Sequence, residues 1–141
     1  MSQTATLISK DEVNTALLQG IFRQAFMDPH LDADGDLYVT AEGYNMYLQV
    51  DARGAMRVYI LFRTNPQTTH QQVIELSNRI NETLWFIRAC SHPALPTALL
   101  LDHWIDTSAG VTALEVVDEV RRFRSVLTDV PKLDTENILT C

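Results

Sequence analysis

The stretch LYVTAEGYNMYLQVDARGAMRVYILFR, residues 37–63, decides the fold. Three apolar-rich runs stand in it, 37–40, 44–50 and 55–63, separated by Glu42-Gly43 and by the turn-forming residues 51–54. Connections this short join antiparallel neighbours, so the stretch reads as a meander. Asn65-Pro66 stops the third run, because proline has no N–H to give to a ladder. Side chains along a strand alternate between faces. Tyr44, Met46, Leu48 and Val50 therefore share one face of the second strand, and Met56, Val58, Ile60 and Phe62 one face of the third. These are the expected core positions. The opposite faces carry Asn45, Tyr47, Gln49 and Asp51 on the second strand, then Arg57, Tyr59, Leu61 and Arg63 on the third.

Before the meander, Ser9 and Glu12 have capping-box spacing, which predicts a first helix beginning near Lys10. Its apolar stripe is Val13, Leu17, Ile21, Phe22, Ala25 and Phe26, ending before Pro29. After the meander, Thr68 or Thr69 caps a second helix carrying Val73, Leu76, Ile80 and Leu84. A fourth strand is expected over 85–90 and a fifth over 98–105, with Pro93 and Pro96 between them. Thr112 and Glu115 open a third helix with Val116, Val120, Phe123 and Leu127 on one face, ending before Pro131. Residues 132–141 show no strong pattern. The expected order is α-β-β-β-α-β-β-α, an α+β fold with a five-stranded antiparallel sheet and three helices. The βαβ alternation and Gly-rich first turn of a nucleotide-binding parallel sheet do not occur.

The 141 residues fit one domain, 1–141, with a core over about 10–128 and a C-terminal tail over 129–141. The formal charge of −7 opposes a nucleic-acid partner, since neutralising phosphates requires a clustered basic face. Arg121, Arg122 and Arg124 are the densest basic group, and Glu115, Asp118 and Glu119 stand at helical spacing beside them. No basic segment leads into an apolar run, and no membrane-length apolar stretch occurs, so a cytoplasmic protein without a membrane partner is expected. Cys90 lies in an apolar segment and Cys141 is the last residue, which predicts reduced thiols with Cys90 buried and inert.

The meander above, Asn78 and Asn81 near the end of helix 2, and GVTALEVVDEVRRF at the start of helix 3 resemble the YbjN family, bacterial proteins described as sensory-transduction regulators. Their fold is similar to that of type III secretion chaperones. The resemblance spans roughly residues 10–127. Family members often carry a tryptophan beside the helix 2 asparagine, where this chain has Glu82, with Trp85 further on. The resemblance implies a five-stranded antiparallel sheet with helices against it, homodimerisation, and a regulatory or chaperone-like role with no known active site.

The remaining chemistry is thin. Asp32, Asp34 and Asp36 match the first ligands of a calcium loop, but Leu37 and Gly43 stand where that loop needs its glycine and its bidentate glutamate. A solvated turn is the better reading. Cys90, His92, His103 and Asp106 lack the spacing of a zinc ribbon or finger. Adjacent Cys90, Ser91 and His92 point apart on an extended chain, which argues against a nucleophile and base. Asn78 and Asn81 read as structural, bonded to each other or to the helix end. No catalytic residue, cofactor or metal is expected.

What is left is the second sheet face. Tyr47, Gln49, Arg57, Tyr59 and Leu61 combine apolar bodies with polar tips, a composition enriched where proteins associate. The leading expectation is a non-catalytic regulator or adaptor that dimerises and binds a protein partner through this face. A secretion-type chaperone holding an extended client is the alternative. A small-ligand or metal-binding protein ranks below both, and would need a pocket around Cys90, His92 and His103.

Overall fold

A computed structural model describes residues 6–140; Cys141 lies outside the described residues. The elements in chain order are β1 (Leu7–Ile8), α1 (Thr15–Gln24), β2 (Pro29–Leu31), β3 (Leu37–Ala41), β4 (Tyr44–Val50), β5 (Met56–Phe62), α2 (His70–Thr83), β6 (Arg88–His92), β7 (Leu95–Ile105), β8 (Val111–Thr112), α3 (Ala113–Leu127) and the short α4 (Val130–Leu133). Strands β2-β3-β4-β5-β7-β6 form one sheet in that order, and β1-β8 form a two-stranded ribbon. The main sheet thus has six strands rather than the expected five. The addition is β2, which runs antiparallel to β3. By backbone contacts the chain divides into two compact units, Met1–Val58 with Trp104–Arg122 and Tyr59–His103 with Phe123–Cys141.

In the first unit, β3 and β4 are joined by Glu42 and Gly43, both at positive φ (53° and 84°). Positive φ at both central residues is the type I′ hairpin turn, whose twist matches that of its strands. The turn fixes the register, pairing Leu37 with Leu48, Tyr38 with Tyr47 and Val39 with Met46. Leu37, Val39, Met46, Leu48, Met56 and Val58 are all buried, as alternation requires. From α1, Leu18, Ile21 and Phe22 join the buried set, and from α3, Val116, Val117 and Val120.

Helix 1 departs from expectation at both ends. The Glu12 carboxylate does accept from Ser9 N–H and Ser9 Oγ. Those two bonds hold it below the usual carboxylate range. They organise only a 3-10 turn over Lys10–Glu12, however, and α1 starts after Asn14, whose Oδ1 accepts from Leu17 N–H at 2.8 Å. At the far end, Phe26 N–H bonds to Arg23 O and Met27 N–H to Phe22 O, a Schellman stop that throws Phe26 to φ 58° and leaves it 97% exposed. Phe26 therefore does not belong to the buried stripe.

In the second unit, Thr69 caps α2 and Gln72 returns a bond to Thr69 N–H, the expected capping box. Val73, Leu76 and Ile80 are buried, with Ile60, Phe62, Ala89, Leu99, Leu101, Phe123 and Leu127. Strand β6 begins at Arg88, three residues later than expected for its start, because Phe86 sits at φ 82° and interrupts the extended run. Cys90 is exposed on β6, not buried, since Ala89 takes the inward position. Residues 128–140 include the short helix α4. Val130 and Ile138 are buried, and the Asp134 carboxylate accepts from Ile138 N–H and Leu139 N–H at 3.0 and 2.9 Å.

Candidate interaction surface

Opposite the buried side of β3 and β4, the same alternation lines up Tyr38 with Tyr47 and Thr40 with Asn45. Strand β2 adds His30, paired with Tyr38. The three rings form a ladder across three strands. The His30 and Tyr38 centroids are 5.2 Å apart in a stacked arrangement, and those of Tyr38 and Tyr47 are 5.3 Å apart and tilted by 40°. Both spacings lie within the favourable range for aromatic pairs. Each ring is half-buried. His30 Nε2 also meets Asp28 Oδ2 at 2.9 Å.

Further along β4, Gln49 Oε1 accepts from the Arg57 guanidinium at 3.4 Å. The guanidinium carbon of Arg57 lies 5.8 Å from the ring centroid of Trp104, within cation–π reach, and Trp104 is 43% exposed. Gln49 and Arg57 thus meet across β4 and β5, and Tyr47 stands two residues before Gln49 on the same side of β4. Tyr59 and Leu61 follow Arg57 on the same side of β5, half-buried between buried Val58, Ile60 and Phe62, and fall in the second unit. His30, Tyr38 and Trp104 are the members that the linear reading missed. Tyr38 carried a signal, because it alternates with Leu37 and Val39 inside a strand that the sequence did reveal. His30 carried none, standing directly behind a proline.

Acidic residues border the ladder. Asp32 Oδ1 accepts from Asp34 N–H and Asp36 N–H, both at 2.9 Å, and Gly35 turns at φ 85°, so this carboxylate organises the β2–β3 turn. Burial, with the negative charge of Asp32 and Asp36 and the neighbouring Tyr38, pushes the Tyr47 phenol above its ordinary value. Asp32, Asp34 and Asp36 each bring a carboxylate oxygen within 4.8 Å of the others, the one such group of three or more among the described residues.

The other polar residues have structural employment. Asn81 bonds to the backbone of Ala89 on β6 rather than to Asn78. His103 stacks on Phe86 with centroids 3.7 Å apart, and His92 Nδ1 accepts from Ala94 N–H. Asp106 accepts from Ser108 N–H, and its bonds to Ser108 hold it below the usual carboxylate range. A shallow depression of 340 Å³ lies at the end of α1, lined by Arg23, Phe26, Met27, Asp28 and Pro29 and by none of Cys90, His92 and His103. No helix among the described residues is long and apolar enough to cross a membrane.

A sequence model of the YbjN family, described as "Putative bacterial sensory transduction regulator", matches residues 14–130. The chain belongs to the YbjN family. Its fold agrees with the crystal structure of YbjN from E. coli, itself described as "a putative transcription regulator", at a TM-score of 0.74 and 11% identity, covering 96% of this chain and 100% of that one. At that identity the likeness to YbjN is one of fold alone. No curated protein matches the chain in sequence.

Proposed function

We propose that the chain is a non-catalytic regulatory or adaptor protein that works through protein–protein interaction, with the His30–Tyr38–Tyr47 face of its first unit as the contact surface. One observation carries this reading. A ladder of half-exposed rings runs across three strands, opposite a face whose Leu37, Val39, Met46 and Leu48 are fully engaged in the core. Rings with polar tips supply large contact area for little lost side-chain freedom, which is why tyrosine is enriched at hot spots. The regulatory description of the YbjN family is consistent with such a role. The net charge of −7 favours a protein over DNA as the partner. A second copy of the chain is the first occupant to consider, as the family resemblance suggested.

The test combines light scattering of the purified chain with affinity capture from its native cell extract, each repeated with Tyr38→Ala and Tyr47→Ala together. The pair is expected to abolish self-association or capture of an identified partner while circular dichroism stays that of the folded chain. A folded double variant that keeps both undiminished removes this face from consideration.

A further inference from the structure

Residues 28–36, DPHLDADGD, hold four aspartates and no lysine or arginine, and they run along the edge strand β2 and its turn into β3. Asp28 meets His30 at 2.9 Å, and Asp32 Oδ1 is taken up by the N–H groups of Asp34 and Asp36. The carboxylates of Asp34 and Asp36 are exposed, and no hydrogen bond or ion pair from the described residues reaches them. Oxygens of Asp32, Asp34 and Asp36 nevertheless stand within 4.8 Å of one another. Like charges held this close repel, and an arriving cation relieves the repulsion.

These carboxylates border the aromatic face rather than standing alone. The half-buried rings of His30, Tyr38 and Tyr47 follow one another at 5.2 and 5.3 Å. Burial comes first among the causes that hold the Tyr47 phenol above its ordinary value, and the negative charge of Asp32 and Asp36 is among the others. The field of the carboxylates therefore reaches the rings. Arg57, further along the same side, is engaged within the chain: its guanidinium bonds to Gln49 Oε1 at 3.4 Å and lies 5.8 Å from the Trp104 ring centroid. This side of the first unit thus sets ring surface next to carboxylates that no cation of the chain offsets.

We infer that the aromatic face takes a basic segment of a partner protein, whose lysine or arginine stems lie along the rings while their charged heads meet Asp32, Asp34 and Asp36. This rests on the reading of that face as the contact surface, and selects its occupant by charge. A long cationic side chain suits both halves, since its methylene stem covers apolar surface and its head stays with the polar groups. A second copy suits the face poorly, because it brings the same carboxylates and a net charge of −7. Exposed charges draw the segment in, so the association weakens as salt is added.

The probe is a short peptide of alternating alanine and arginine, titrated against the full chain at low salt and followed by amide NMR, with an alanine–glutamate peptide of the same length as control. The arginine peptide is expected to shift the amides of residues 28–38 and 47, and the glutamate peptide to shift none. Asp34→Asn with Asp36→Asn keeps the Asp32 acceptor that organises the turn and should weaken binding about fivefold, the combined effect of two exposed ion pairs. Glu82→Gln with Glu136→Gln removes the same charge from exposed positions of the second unit and should weaken it by less than about twofold. No binding, equal weakening by both pairs, or shifts confined to other residues overturns the basic occupant, while the contact face itself stands or falls separately with Tyr38→Ala and Tyr47→Ala. A dimer in light scattering that buries the ring ladder and keeps the arginine peptide out makes a second copy the occupant and overturns the inference as well.

Discussion

Tyr38 on β3 and Tyr47 on β4 stand directly opposite each other, with ring centroids 5.3 Å apart and planes tilted by 40°. Cross-strand aromatic pairs are the unit from which sheet faces gain stability beyond area burial. A double-mutant cycle with Tyr38→Ala and Tyr47→Ala should return a coupling of about 0.5–1 kcal/mol, read from chemical denaturation. Additive single losses would mean that the rings are neighbours without interacting.

The alkaline limb of stability should report the environment of Tyr47. Its phenol titrates above the ordinary value of 10.0 because of burial first, then Asp32, Tyr38 and Asp36. With the folded pKa raised above the unfolded one, the contribution is fully present below about pH 10 and is lost as pH rises through the folded value. Asp32→Asn retains the Oδ1 acceptor that organises the turn and removes the charge. It should move the Tyr47 titration down toward the ordinary value, followed by tyrosinate absorbance or NMR, while burial keeps it from returning fully.

Two glycines should respond in opposite directions to alanine. Gly54 turns at φ 84°, and a Cβ there would lie 2.8 Å from Lys10 O, a backbone atom that cannot swing aside. Thr107 Oγ also donates to Gly54 O, fixing the turn from a second side. Gly54→Ala should cost at least about 1–2 kcal/mol. Gly20 lies inside α1 with open space where its Cβ would be, so Gly20→Ala should stabilise by about 0.5–1 kcal/mol. Thermal denaturation of both variants checks the pair, and a destabilised Gly20→Ala would show that α1 is limited by something other than backbone entropy.

Arg88 and Asp102 should behave unequally as partners. The Asp102 carboxylate is buried and receives two bonds from Arg88, at 3.0 and 2.7 Å, whereas the Arg88 side chain is largely exposed. Those bonds and the charge of Asp102 raise the Arg88 pKa. Arg88→Ala leaves a buried carboxylate short of its guanidinium partner and should cost about 1–3 kcal/mol. Replacing both residues, with Asp102→Leu beside Arg88→Ala, should recover much of that loss. No recovery in denaturant unfolding would mean that Asp102 relies on further partners.

The parts of this fold legible in the sequence are those whose signal is local and repeated. Strand β4 alternates over seven residues and spans the 44–50 that its pattern predicts, and its Glu42-Gly43 turn is a type I′ hairpin turn. Strands β1 and β8 have two residues each, and β2 has three and starts at Pro29. No period can be read over so short a span; they are strands because a neighbour pairs with them. The same reason divides the candidate surface. Tyr47, Gln49 and Arg57 follow from alternation within one stretch. His30 and Trp104 come to it through pairing across the sheet and through Arg57, relations that no linear pattern carries. The capping box at Ser9 and Glu12 forms around a single 3-10 turn and does not open α1, because a local motif specifies a turn and not whether the chain continues it.

Phe26 makes the sharpest demand on the structure. It occupies the C′ position of a Schellman stop, where glycine is the usual residue, at φ 58° and with 97% of its surface exposed. A bulky side chain in the left-handed region costs about 1–2 kcal/mol, and a ring this exposed regains almost nothing by burial. Phe26→Gly should therefore stabilise the chain by about 0.5–1 kcal/mol after the added freedom of the unfolded glycine is counted, raising Tm by about 2–5 °C. Phe26→Ala keeps the Cβ in the same backbone conformation and should leave Tm nearly unchanged. If Phe26→Gly instead lowers Tm, the ring holds the end of α1 through contacts that its exposure does not show.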